Sequence, residues 1–318
     1  MTRLTLHDLA GIPAGLSAYD AELESRTGCT LRALACRATG LGERGFAKRA
    51  GGARVAVVPL DCGQGVLPGF AEAVRAVAAH LGFDAWVTAR PDAGGLAEAY
   101  RDGARVLVTA DEESFIAVNL VSRRVADNNE ATARGFVTAL ELLVGEPGEG
   151  RGGKAGVKGG GGVRATGGPE GVGGGPGGAG LAGREVLVLG CGPVGRAAAR
   201  CLLERGARVS LCDTRTERAR QAARELAGEH AAVRVEEELE AALLRHRLLF
   251  DATPAPGFIR ERHLTPDTRI AAPGVPLGLS AGALRGAGPH LVHDPLQIGT
   301  AVMLLEALSG GARQGGRP

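Results

Sequence analysis

The sequence predicts an α/β protein of two domains: an N-terminal α/β domain followed by a Rossmann-type, doubly wound domain. Three observations predict it. Short apolar runs alternate with amphipathic helical segments in both halves, the pattern of parallel sheets with helical crossovers. A stretch of 39 residues, 145–183, holds 20 of the 52 glycines and separates the two halves. The second half opens on an apolar strand, a glycine turn and a helix in immediate succession. The expected organisation is therefore a folded domain over 1–144, a glycine-rich insertion over 145–183, a second folded domain over 184–309 and a frayed tail over 310–318.

Each element has a local reason. Thr5 and Asp8 form a Thr-x-x-Asp variant of the capping box. Leu6, Leu9, Ile12, Leu16, Tyr19 and Leu23 follow at helical spacing, with Pro13 expected to bend or divide the helix. Residues 54–58 (RVAVV) read as a buried strand that Pro59 ends. A helix over 70–81, a strand over 84–88, a helix over 96–102, a strand over 105–109 (RVLVT) and a helix over 132–144 complete the first domain. Because strands alternate with helices, this sheet is expected to be parallel. The insertion has almost no large apolar side chain to offset the entropy of ordering it, so it is expected to be a flexible surface segment. In the second domain 185–189 (EVLVL), 208–212 (RVSLC), 248–252, 269–272 and 291–293 read as strands, and 193–205 and 298–308 as helices.

Composition excludes several classes. With 37 basic and 35 acidic residues the formal net charge is +2, and aromatics are 3%, which argues against a nucleic-acid binder. The six cysteines form no CxxC pair, so reduced thiols are expected. Residues 1–10 (MTRLTLHDLA) have no signal-peptide pattern, and no run approaches the about 18 apolar residues of a membrane span. A cytoplasmic protein is expected, with no membrane partner and with homo-oligomerisation left open. His290 and His293 have no nearby ligand beyond Asp294, so no metal site is expected.

The strongest local chemistry is Gly190-Cys191-Gly192-Pro193-Val194-Gly195, a G-x-G-x-x-G pattern after an apolar strand and at the opening of a helix. Gly190 allows the tight turn, Gly192 lets a pyrophosphate approach the backbone, and Gly195 permits close helix–strand packing. Pro193 suits the first helical turn, and the unpaired N–H groups there bind phosphate. Asp213 ends the next strand, 18 residues after Gly195, where a carboxylate bonds the adenosine ribose and repels a 2′-phosphate. NAD is the expected cofactor, with Thr214 beside that carboxylate. The strand-end turns Ala252-Thr253-Pro254 and Ala272-Pro273-Gly274 are expected to line the nicotinamide half, so Thr253, Pro254, Pro273 and Gly274 join the cofactor set.

If the second domain binds NAD, the first supplies substrate contacts. Its strands end in polar loops, 59–65 (PLDCGQG) and 110–114 (ADEES), with Asn119 and the pair Asn128-Asn129 downstream. Asp111 is a candidate base or ammonium anchor, or else a helix cap. Gln64 and Asn119 are candidate substrate contacts. Cys62 has no histidine in a recognisable nucleophile signature, which favours a polar lining role.

These residues resemble the pyrrolysine synthase family, whose members perform the last step of pyrrolysine biosynthesis. The resemblance runs over both halves, roughly 4–308, outside the insertion. It rests on Leu4-Thr5 with Asp8-Leu9, VVPLDCGQGVLPGF from Val57, GFDAWVT from Gly82, ADEESFIAVNL from Ala110, GCGPVG from Gly190, FDATP from Phe250, PGVP from Pro273 and DPLQIGTAVML from Asp294. It implies NAD-dependent oxidation of the terminal amine of 3-methyl-D-ornithyl-Nε-L-lysine. Attack by the ornithyl α-amine and loss of ammonia then close a pyrroline ring. It also implies that Leu4 and the first helix close over the substrate, that Cys62 lines the site where the family often shows Ser, and that Asp111 is the active-site Asp. Asn128 or Asn129 matches an active-site Asn, with the register open between them. Pro13 and the insertion depart from the family pattern.

Two other readings compete. An amino-acid or shikimate-type dehydrogenase would use a Lys–Asp pair, yet the only lysines are Lys48, Lys154 and Lys158, none in a strand-end motif. A non-catalytic NAD-sensing module would not need the polar strand ends of the first domain.

Overall fold

A computed structural model of the chain describes residues 4–145, 180–227 and 233–309. Most of the glycine-rich segment and the tail therefore lie outside the described residues. The chain opens with α1 (Leu6–Ala10), where Thr5 and Asp8 form the expected capping box. The break at Gly11 starts α2 (Ile12–Thr27), with Pro13 in its first turn, where a missing N–H costs nothing. So Pro13 divides the helix and does not bend it. Then come α3 (Leu31–Thr39) and α4 (Glu43–Ala50), which sequence reading left unassigned. The signal for α3 was present: Thr30 caps it through Ala33 N–H, and Leu31, Leu34, Ala35 and Ala38 are buried at helical spacing.

The first sheet is built from β1 (Arg54–Val57), β2 (Asp84–Val87), β3 (Val106–Ala110), β4 (Phe115–Asn119) and β5 (Val125–Asp127), in the order β2-β1-β3-β4-β5. Helix α5 (Phe70–His80) follows β1, α6 (Asp92–Arg101) follows β2, and α7 (Asn128–Val144) follows β5. The expected parallel sheet is corrected here. Strands β2, β1 and β3 are parallel, but β4 and β5 are antiparallel additions. The four residues between β3 and β4 are too few for a crossover, so the chain must turn back on itself.

The second sheet is parallel throughout. It comprises β6 (Glu185–Leu189), β7 (Arg208–Cys212), β8 (Val233–Val235), β9 (Leu248–Asp251), β10 (Arg269–Ala272) and β11 (Leu291–His293) in the order β11-β10-β9-β6-β7-β8. Helices α8 (Pro193–Glu204), α9 (Thr216–Ala227), α10 (Leu239–Arg245) and α11 (Ala281–Ala287) connect them. This is the doubly wound order, whose switch point lies between β6 and β9.

The last helix, α12 (Gln297–Leu308), follows the second sheet in sequence but packs against α3, α5, α7 and β4 of the first half. Its contact with α7 is close because of two reciprocal glycines. A Cβ on Gly135 would lie 2.3 Å from Ile298 Cγ2, and one on Gly299 would lie 2.3 Å from Thr132 Oγ1. Helix α7 also packs on α8 and β10, so it is the wall shared by both sheets. Across that wall, Arg205 pairs with Glu141 at 2.7 Å and donates to Thr138 Oγ1 at 2.8 Å. On the other side, Arg26 of α2 donates to the Leu291 carbonyl at 2.6 Å. The carboxyl ends of the parallel strands of both sheets consequently meet around one cleft.

Candidate active site

An open cleft lies between the two halves. Part of its wall is apolar: Phe70 at the start of α5, Phe115 at the start of β4, Phe136 on α7 and Leu4 ahead of α1. Phe70 and Phe115 meet edge to face at 5.2 Å. Asn128 and Asn129 reach it from the first turn of α7, and Val194 and Pro273 from the strand-end turns of the second sheet. Asp294, at the end of β11, lines it too.

The N-terminus of α7 is held by Asp127, whose Oδ1 accepts from the N–H groups of Asn129 and Glu130. That leaves the two asparagine side chains for the cleft. Asn128 Oδ1 is buried and has no partner among the described residues. It lies over Gly299, where a Cβ would come within 2.8 Å of it. A buried, unsatisfied amide oxygen costs about 1–3 kcal/mol, so it marks a place where a ligand donor belongs.

Asp294 is 3% exposed. Its Oδ2 accepts the Tyr19 hydroxyl at 2.7 Å, and its Oδ1 accepts Leu296 N–H at 2.9 Å. Burial pushes its pKa up, opposed first by the Tyr19 hydrogen bond. Burial, then the facing carboxylate, raises Tyr19 well above its usual range. Sequence reading missed Asp294 as a site residue, along with the three phenylalanines. The available signal was an acid directly after a short strand, in a segment already singled out for its motif.

The nucleotide fingerprint has the geometry its residues require. Gly190 has φ of +88°, a left-handed turn that suits glycine. A Cβ on Gly195 would fall 1.8 Å from the Gly190 carbonyl oxygen, whereas Gly192 faces open space with nothing within 4 Å. Gly192 precedes Pro193 at the N-terminus of the 12-residue α8. An open glycine beside unpaired helical N–H groups is a cradle that fits a pyrophosphate. Asp213 Oδ2 accepts Cys191 N–H at 2.8 Å and its Oδ1 accepts Arg215 N–H at 2.9 Å, with Arg218 at 3.9 Å. The carboxylate therefore stands against the glycine loop. Cys191 is buried, and burial pushes its thiol up to about 12. Thr214 is exposed beside Asp213. Thr253 donates through N–H and hydroxyl to Asp251 Oδ1, at 3.0 and 2.7 Å. Burial raises Asp251 to about 6 despite those bonds. Pro254 is exposed, and Gly274 packs so closely that a Cβ would lie 2.2 Å from the Thr253 carbonyl oxygen.

Of the first-half candidates, Leu4, Asn128 and Asn129 line the cleft, and Asp111, Cys62 and Asn119 stand outside its described lining. Asp111 begins the β3–β4 turn, and its Oδ1 accepts Ser114 N–H at 2.6 Å and Glu113 N–H at 2.7 Å. The Ser114 bond, then the Glu113 bond, hold its carboxyl below the usual range. Asp111 is thus a rim residue, next to the register pair Ala110–Phe115. Asn119 is 3% exposed and fully bonded: its Nδ2 donates to the Ala307 carbonyl, and its Oδ1 accepts Val121 and Ser122 N–H. Its position is that of a tie between β4 and α12. Cys62 is exposed on the loop after β1. Gln64 lies on the 3-10 turn Gly63–Val66, and its side chain is outside the described residues. That turn abuts the Asp111 turn, since a Cβ on Gly63 would fall 2.3 Å from the Glu112 nitrogen.

Comparison with known proteins agrees with this anatomy. Residues 168–258 match the alanine dehydrogenase/PNT C-terminal domain. The quinate dehydrogenase of Corynebacterium glutamicum, solved in complex with NAD, superposes with a TM-score of 0.50 at 14% identity, covering 81% of this chain and 94% of that one. The fold is that of an α/β dehydrogenase with a Rossmann-type nucleotide-binding half.

Residues 8–126 match the N-terminal domain of pyrrolysine biosynthesis protein PylD. Pyrrolysine synthase of Methanosarcina acetivorans is 29% identical over 277 residues, covering 86% of this chain and 91% of the relative. That of Methanosarcina barkeri is 27% identical over 311 residues, covering 97% and 98%. Over both halves the chain is similar to the PylD family.

Proposed function

We propose that this protein is an NAD-dependent pyrrolysine synthase. In this reading the terminal primary amine of 3-methyl-D-ornithyl-Nε-L-lysine loses a proton and a hydride, the ornithyl α-amine attacks the resulting imine carbon, and ammonia leaves as the pyrroline ring closes. The observation that carries the reading is the cleft: three phenylalanines, two asparagines and one carboxylate gathered beside the glycine turn and the N-terminus of α8. The similarity to pyrrolysine synthases over both halves supports it.

Gly190, Cys191, Gly192, Pro193, Val194 and Gly195 would hold the pyrophosphate through the N-terminus of α8, and Asp213 with Thr214 the adenosine ribose. Thr253, Pro254, Pro273 and Gly274 would flank the nicotinamide half. Bound NAD supplies the hydride acceptor. Asp213 favours NAD over NADP, because its carboxylate repels a 2′-phosphate. Asn128 and Asn129 hold the amide of the substrate, and Leu4 covers the cleft from the N-terminal side. Asp111, ionised at neutral pH, anchors or deprotonates an ammonium at the rim. Cys62 and Gln64 complete the expected substrate side, whereas Asn119, expected there too, is taken up by its tie to α12. Folding the chain so that both nitrogens meet is worth much of the barrier to ring closure. A quinate-type reaction is less well served, since Lys48, the one lysine among the described residues, sits exposed on α4.

The test is incubation of pure protein with the dipeptide and either NAD or NADP, following NADH or NADPH absorbance and the product mass. The expected result is pyrrolysine with NAD and little with NADP. An Asp111→Asn variant should lose roughly a hundredfold in rate while NAD affinity, measured by calorimetry, stays the same. No reduced cofactor from the dipeptide would overturn the reaction, equal efficiency with NADP the cofactor, and a full-rate Asp111→Asn variant the role of that residue.

A further inference from the structure

Among the described residues that line the cleft, Asp294 is the one with an ionisable side chain. It is nearly removed from water, yet among the described residues no arginine or lysine pairs with it; its partners there are the Tyr19 hydroxyl and backbone N–H groups of the α12 entry. These donors, with His293 nearby, favour the charged form, but burial outweighs them and raises the Asp294 pKa. A buried, uncompensated negative charge is costly unless a cation arrives. Around it, the cleft supplies what an alkyl cation favours. Phe70, Phe115 and Phe136 give apolar and aromatic walls, and ring faces attract cations. Asn128 Oδ1 is a second buried acceptor with no donor of its own. Two acceptors, no cationic side chain in the lining and an aromatic surround fit one ligand class: a primary ammonium on an alkyl chain.

We propose that Asp294 is the ammonium-binding residue of the cleft, taking the substrate's primary amine as a charge-assisted hydrogen-bonded pair, with Tyr19 as the residue that positions its carboxylate. This rests on the amine-oxidising reading above and gives the reacting amine to Asp294, which leaves Asp111, outside the lining, the anchor of a second ammonium at the rim. The step balances simply. The bound R–NH₃⁺ gives one proton to the Asp294 carboxylate, leaving R–NH₂ with a free lone pair and a neutral carboxylic acid still bonded to Tyr19. The competing explanation is that Asp294 serves only to cap α12 through Leu296 and Ile298 N–H, a role that asparagine would fill equally well.

Calorimetric titration separates the two. The probes are the dipeptide, its analogue with a hydroxyl in place of the terminal amine, and the bare pair pentylamine and pentanol. Wild-type protein should bind each amine at least about tenfold more tightly than its neutral counterpart, the order expected for a hydrogen bond to a charged group. Asp294→Asn, which keeps shape and capping, should lose that preference while NAD affinity and melting temperature stay near wild type. With the dipeptide as substrate it should raise KM by at least about tenfold and also lower kcat. Should Asp294→Asn not fold, Tyr19→Phe, which removes the hydroxyl that positions the carboxylate, takes its place: a weakened amine preference supports the proposal and an unchanged one overturns it. A wild-type protein that does not discriminate, or an Asp294→Asn variant that still does, overturns the proposal and leaves Asp294 a helix cap. Failure of the pyrrolysine synthase reading looks different: no NADH from the dipeptide, with the amine preference intact.

Discussion

Gly192 and Gly195 stand three residues apart and carry opposite requirements. The position of Gly195 has no room for any side chain, because the Gly190 carbonyl oxygen occupies it. The position of Gly192 has room, and a ligand would need that room. Gly195→Ala should therefore cost about 1–3 kcal/mol of stability by overpacking and take nucleotide binding with it. Gly192→Ala should leave stability within about 0.5 kcal/mol. Calorimetry should nevertheless find its NAD affinity reduced at least about tenfold, since a methyl group would stand where the backbone meets the pyrophosphate. Equal melting curves for both variants, or unchanged NAD affinity in Gly192→Ala, would remove the fingerprint from its assigned role. The sequence pattern alone could not separate these two glycines, because both appear in it as the same letter.

At the scale of elements, α12 is the informative case. Every one of its residues is buried, so it shows no amphipathic stripe from which a partner could be read. Its docking is specified from outside, by Gly135 of α7 and by Asn119 of β4. Asn119 looks like a site residue in the sequence because it is a polar residue in a motif next to a strand end. In the fold its three hydrogen bonds join the β4–β5 turn to the last turn of α12. Asn119→Ala should destabilise the protein by about 1–3 kcal/mol in urea titration, since the turn N–H groups lose their acceptor and the Ala307 carbonyl its donor. A loss below about 0.5 kcal/mol would show that water replaces those bonds.

At the scale of the molecule, the insertion leaves and returns at one place. A Cβ built on Gly180 would lie 3.4 Å from the Gly145 carbonyl oxygen. The ends are already together, so the fold does not need the length between them. Replacing residues 150–178 by a short Gly-Ser linker should preserve turnover and should change stability by no more than about 1 kcal/mol, the loop-closure difference for that shortening. A large fall in melting temperature or in turnover would mean that the segment packs or acts.

Local rules explain what the sequence determined by itself. Hydrophobic period, caps and the glycine turn identified β1, β2, β3, the parallel strands β6, β7, β9, β10 and β11, and the nucleotide fingerprint, because each depends on residues a few positions apart. Short elements with weak period escaped, as β4, β5, β8 and α11 did. The tertiary structure alone decided which polar residues face the cleft. Asp111 and Asn119 spend their hydrogen bonds on turns and a helix end, while Asp294 and Asn128 are brought to one cavity from elements 166 positions apart in the chain. A carboxylate's role depends on the donors and the dielectric around it, and those are set by chain segments that no local pattern relates.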